Sequence, residues 1–183
     1  MQSGTNEVIW VFALALTLYA GWVDSLTRRI PNWLTIPALL LGIAVSGVTM
    51  GWHGVVLAVE GAGLALGLLL PLVFLRAFGA GDWKLMGAVG AFLGPQMLLR
   101  VLVASALAAG VMSIVWMIRA RRVRETLQNL GTLVLGFLTF GFRPNHAVSL
   151  DNPDALKLPF GVAAAVGTLA CFLAVQWAPA MLR

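Results

Sequence analysis

Charge is what this chain has least of. Only 10% of its 183 residues are Asp, Glu, Lys or Arg, while 60% are hydrophobic; a soluble domain carries about 25% charged residues and could not hide so much apolar surface. The composition excludes a soluble domain and makes the chain an integral membrane protein. A single cysteine, Cys171, excludes an intrachain disulfide and any zinc ribbon built from paired CxxC motifs. Its expected role is to fill space in a helix. The two histidines, His53 and His146, stand apart without an HExxH partner, so no metal site and no cofactor are expected. Basic residues are missing from the opening "MQSGTNE", which argues against a cleavable signal peptide and makes the first helix its own insertion signal. The net charge of +5 does not point to nucleic acid. Arg28 with Arg29, Arg76 with Lys84, and Arg119 with Arg121, Arg122 and Arg124 each flank an apolar run, as cytoplasmic loops of membrane proteins do.

A helix needs about 20 apolar residues to cross a bilayer, and fewer where tilt or neighbouring protein shortens the path. The expected fold is therefore all-α. A single membrane domain over 1–183 would have about six transmembrane helices, near 7–23, 33–50, 54–76, 84–95, 97–118 and 159–180. The loop "DSLTRRIPN" and the loop around 76–84 hold basic residues, whereas the turns "MGWHG" and "GPQ" hold neither Lys nor Arg. They alternate as inside and outside, with the N-terminus outside. The segment 125–142 repeats its apolar residues at helical spacing, through Leu127, Leu130, Leu133, Val134 and Phe137. It reads as a helix at the membrane interface, with a seventh span as the alternative. The polar, proline-containing stretch 143–157 reads as an irregular connection.

Acidic residues number seven, and of these Asp24, Glu60 and Asp82 lie in spans or at their ends. An unpaired carboxylate in hydrocarbon costs roughly 3 kcal/mol on insertion scales, which makes each one a functional candidate. Asp24 ends the first span and Asp82 opens the fourth, so the topology puts both at one membrane face. Two carboxyls at close range cannot both ionise: one keeps a proton while the other stays charged. Such a pair can draw a proton from water and polarise a carbonyl, which is general acid and base hydrolysis of an amide. Gly79 and Gly81, ahead of Asp82, let the backbone leave helical geometry and let another chain approach. An extended substrate could then satisfy the exposed polar groups. Pro31, with Asn32 as N-cap, would fix the loop that carries Asp24. Glu60 falls on the outer half of the third span, away from the pair, and reads as a residue that snorkels or hydrogen-bonds within the bundle. "GAGLALG", Gly61 to Gly67, reads as a tight helix contact, and Trp10, Trp22, Trp33, Trp52 and Trp177 as an aromatic belt.

Three separated motifs then occur in one order. They are "GAGD" with Lys84 after it, Asp24 ahead of the basic "DSLTRRIPN", and "KLPFG" at Lys157 to Gly161. Together they resemble the prepilin peptidase family of bacterial intramembrane aspartic proteases, whose signature is GxGD. The resemblance implies an aspartic endopeptidase with Asp24 and Asp82 as its catalytic pair. Gly79, Gly81, Lys84, Pro31, Asn32, Pro159, Phe160 and Gly161 would support the site or the substrate. It further implies a prepilin or pseudopilin precursor as partner, with its short basic leader removed after a glycine, in contact with membrane lipids and not nucleic acid. The site would face the cytoplasm from the bacterial inner membrane. Larger family members carry a domain with paired cysteines associated with methylation. The single cysteine here implies the short, peptidase-only branch found with tight-adherence (Flp) pili, and no methyltransferase activity. An archaeal-type preflagellin peptidase has the same pair, and a non-catalytic assembly subunit or transporter remains the reading from another class.

Overall fold

The computed structural model describes residues 2–75, 78–119 and 159–181, and within these every element is helical. Four helices follow one another: α1 (Gln2–Thr27), α2 (Asn32–Phe74), α3 (Ala80–Arg119) and α4 (Phe160–Met181). Each is long and apolar enough to cross a membrane. The expected helix over 125–142 and the connection 143–157 lie outside the described residues.

Two of these helices are too long to cross once. With 43 and 40 residues, α2 and α3 would extend about 60 Å each if straight, twice the roughly 30 Å of a bilayer core. Each is broken at a glycine in the left-handed region. Gly51 has φ 65° and ψ −151°, and Gly94 has φ 73° and ψ 174°, backbone that side chains with a Cβ rarely adopt. At Gly51 the chain folds back on itself. Gly54 lies directly against the Ser46 carbonyl, and a Cβ on Gly47 would stand 3.0 Å from Val55; in an unbroken helix such pairs would be about 12 Å apart. Pro95 follows Gly94, at the first position of the second half of α3, where a missing N–H costs nothing. Among the described residues these breaks fall where the turns "MGWHG" and "GPQ" were expected and divide the four helices into six helical segments.

The first half of α3 is the axis of the bundle. Residues 85–92 are all buried, as an all-round apolar helix must be if protein encloses it. Around it the contacts are made backbone to backbone. Gly61 of α2 and Gly90 of α3 lie against each other's carbonyl oxygens, and Ser46 Oγ donates to the Ala91 carbonyl at 3.2 Å. Between α3 and α4, Gly167 lies against Ser105. Small residues at crossings are how helices associate where no water drives them together. In "GAGLALG", however, only Gly61 makes such a contact. Nothing lies within 4 Å of a Cβ placed on Gly63 or Gly67.

Many large apolar side chains face outward, among them Leu18, Trp22, Trp33, Trp52, Val103 and Trp177. Trp10 departs from the expected belt. It is 6% exposed, with its ring 5.7 Å from that of Phe172 in the core between α1 and α4. Glu60 is exposed.

These contacts make a sharp contrast between two glycines on one helix. Gly61→Ala is expected to lower the Tm of the detergent-solubilised protein, since overpacking costs about 1–3 kcal/mol. Gly63→Ala, whose methyl meets nothing, should leave Tm unchanged or raise it. Thermal unfolding of the two variants side by side checks this, and equal effects would contradict the crossing.

Candidate active site

Three segments remote in sequence close one end of the bundle. They are the last turn of α1 with the loop 28–31, the turn at 78–82 that opens α3, and residues 159–161 that open α4.

Asp24 lies within α1, which runs to Thr27 and so extends past the expected span limit at 23. The helix stops at Arg28, whose φ of 52° is left-handed and whose N–H donates to the Asp24 carbonyl at 2.8 Å. Helices often end in this way, though with glycine at the left-handed position. The Asp24 side chain is 5% exposed, and its Oδ2 accepts the N–H of Gly161 at 2.8 Å. Arg28 lies within electrostatic range of this carboxyl. The approach of α4 depends on two facing glycines. A Cβ on Gly161 would be 3.0 Å from Asp24 Cβ and 3.1 Å from the Ala20 carbonyl, and one on Gly21 would be 2.9 Å from the Gly161 carbonyl.

Asp82 occupies the first turn of α3 and is half-buried. Its side chain folds back over Gly79, where an added Cβ would collide with Oδ2. Gly81 is held from the other side, since its Cβ would meet the Ile30 carbonyl at 2.9 Å. The room made by these two glycines is therefore filled by the chain's own Asp82 and Ile30, and neither glycine has a positive φ. Gly79 stands in the non-helical stretch ahead of α3, whereas Gly81 is already helical, which corrects the expectation of non-helical backbone for Gly81 alone.

A second correction concerns Asn32. Pro31, in extended conformation at φ −75° and ψ 146°, holds the N-cap position of α2 and makes no side-chain cap bond. Asn32 is already helical. Its Oδ1 instead accepts Lys84 Nζ at 2.9 Å, tying the start of α2 to the turn of α3 that bears Asp82. The loop after Asp24 thus meets α3 twice, through Ile30 at Gly81 and through Asn32 at Lys84.

Phe160 links the remaining pair of segments, with its ring edge-on to Phe78 at 4.8 Å. Pro159 precedes α4, and its carbonyl accepts the Val162 N–H at 3.2 Å. Trp83, Ile30 and Phe78 were not singled out in the sequence. Trp83 Nε1 donates to the Leu66 carbonyl at 2.8 Å, the kind of partner a half-buried indole requires. Its place beside Asp82 is the one local signal that could have marked it.

Asp24 and Asp82 are thereby brought to one end of the bundle and into electrostatic range of each other. Among the described residues no hydrogen bond joins the two carboxyls, and no group of three His, Cys, Asp or Glu side chains could hold a metal ion. What the pair can do chemically is share protons with a water or an amide. A cavity of about 460 Å³ lies at the opposite end, lined by Glu7, Trp10, Met50, Gly94 and Gln176 among others. A shallower groove of about 270 Å³ runs between α1 and α4 past Gly21 and Ser25.

Comparison with known proteins bears on the chain as a whole. The sequence profile of the type IV leader peptidase family matches residues 11–114, which include both aspartates. A protein of Pectobacterium carotovorum subsp. carotovorum described as "Prepilin leader peptidase/N-methyltransferase" is 30% identical over 129 residues, covering 67% of this chain and 44% of that protein. This chain thus spans less than half the length of the relative. No solved structure matches. With the profile extending over more than half of its length, the chain belongs to the type IV leader peptidase family.

Proposed function

We propose that this protein is an intramembrane aspartic endopeptidase that removes the basic leader of type IV prepilins or pseudopilins after a glycine. The observation that carries this reading is the meeting of Asp24 and Asp82, from two different helices, at one end of the bundle in a chain of this family. In the reaction, one carboxylate takes a proton from water as that water attacks the scissile carbonyl. The other carboxyl, still protonated, donates to the carbonyl oxygen and stabilises the developing charge. As the tetrahedral intermediate breaks down, the proton taken from water passes to the leaving nitrogen and a hydroxyl proton of the intermediate returns to the other carboxylate, which releases the leader and the new N-terminus.

The orientation follows from charge. Arg28 and Arg29 adjoin Asp24, and Lys84 adjoins Asp82, so the positive-inside rule directs the pair to the cytoplasmic face of the inner membrane. Processing of Flp-type pilins, by cleavage without methylation, agrees with the single cysteine.

Co-expression with a prepilin tests the reading directly. Wild-type protein should shorten the precursor by the mass of its leader. Asp24→Asn and Asp82→Asn, which keep shape and lose the titrating group, should each lower cleavage by about a thousandfold while still inserting. Robust cleavage by either variant would exclude the pair.

The Lys84 tether gives a finer prediction. Lys84→Met removes the bond to Asn32 and is expected to lower kcat by about threefold to tenfold, as loss of one charge-assisted hydrogen bond would, with KM little altered. Lys84→Arg should recover much of the loss. A rise in KM alone would instead make Lys84 a substrate contact.

A further inference from the structure

Asp24 does something beyond facing Asp82: it caps another helix. The first amides of any helix lack partners within it. In α4, Pro159 stands before the first turn and has no polar side chain with which to cap it. The Val162 N–H turns back to the Pro159 carbonyl at 3.2 Å, whereas the Gly161 N–H goes to Asp24 Oδ2 at 2.8 Å, across 137 positions of sequence. The same oxygen therefore sits in the positive field at the start of α4. This accounts for a glycine at 161, since any Cβ there would lie 3.1 Å from Asp24 Oδ2 and 3.0 Å from its Cβ.

Asp82 is held differently. It lies in the first turn of α3 and shares that helix's general field, yet among the described residues no hydrogen bond reaches its carboxyl. A donor bound directly to a carboxylate oxygen favours the charged form, and of two neighbouring carboxyls one keeps its proton. Of the charged groups around Asp24, Arg28 works in the same sense and a charged Asp82 in the opposite one. Arg28 of its own chain segment is in range, Asp82 faces it from α3, and the described first turn of α4 brings no titratable group. Lys84 is engaged by Asn32 at the start of α2.

From this geometry we infer that the Gly161 amide is the positioning group that makes Asp24 the general base of the pair, leaving Asp82 as the acid. The inference rests on the two-aspartate reading above and divides labour within it. Oδ2 of Asp24 is engaged by the amide, and Oδ1 receives the proton of the attacking water. The Asp82 proton goes to the carbonyl oxygen of the scissile bond. Both protons pass on as the intermediate collapses, one to the leaving amine and one back to Asp82.

The pH dependence of cleavage in membranes tests the assignment. The acid-side limb of kcat/KM reports loss of the base's proton. In Gly161→Ala the new methyl pushes α4 from Asp24 and weakens the bond, so that limb should move to higher pH by about one unit. The alkaline limb should stay in place, with kcat lower and KM within about twofold of wild type. Gly21→Ala acts on the same bond from the α1 side, through the Gly161 carbonyl, and should shift the same limb. It also serves should Gly161→Ala fail to accumulate. Phe160→Leu loosens the Phe78 contact and keeps the amide, so it should lower kcat with both limbs unmoved. Movement of the alkaline limb in the glycine variants, or lower kcat with neither limb moved, would overturn the assignment. The Asp→Asn variants separate the two failures. If they are inactive while the limbs behave otherwise, the pair stands and only its division of labour falls.

Discussion

At Gly61 and Gly90 two peptide backbones touch, and the arrangement of the bundle depends on that contact. In an apolar medium helices gain little by hiding greasy side chains from one another, so cohesion comes from close approach and from hydrogen bonds. A methyl group on either glycine would strike the opposing carbonyl. Because α2 and α3 meet so closely, the first half of α3 can be enclosed on all sides, and its N-terminal turn with Asp82 comes to a fixed place. Ser46 on Ala91, and Gly167 on Ser105, extend the same principle to both flanks.

The other constraint is electrostatic. A carboxylate is costly to bury, and Asp24 is 5% exposed. The fold meets that cost with an amide from α4 and a nearby guanidinium. Conversely, α4 obtains from Asp24 the acceptor its own first turn lacks. Structure and chemistry thus draw on one bond. A change that damages this end of α4 would remove the residue's support and the helix's cap together.

The features that could be read from the sequence are those with a local cause. Breaks at Gly51 and at Gly94 with Pro95 were legible because each falls in a short turn between two apolar runs, whereas Pro37 and Pro71, within such runs, leave α2 helical. Asp24 and Asp82 were legible because so few acidic residues occur beside spans. What failed was either competition for one position or contact at long range. Asn32 reads as an N-cap, but Pro31 takes that place and Lys84 takes its side chain. Trp10 reads as an interfacial residue because it lies near a span end, and nothing in its neighbourhood announces Phe172. Gly61, Gly63 and Gly67 look alike in a one-dimensional pattern, and only the presence of Gly90 opposite the first distinguishes them. The amide of Gly161 carries no sequence signal at all, since every residue but proline has one.

Trp83 follows Asp82 directly, and its indole is fastened to the Leu66 carbonyl. Successive residues on an α-helix project about 100° apart, so this bond sets the angular phase of α3 about its own axis. Were the central helix to rotate by one residue, Asp82 would swing more than a quarter-turn from the wall formed by α1 and α4. In that sense the tryptophan works as a key in a shaft, holding the carboxylate at one bearing while the surrounding glycines permit the tightest fit.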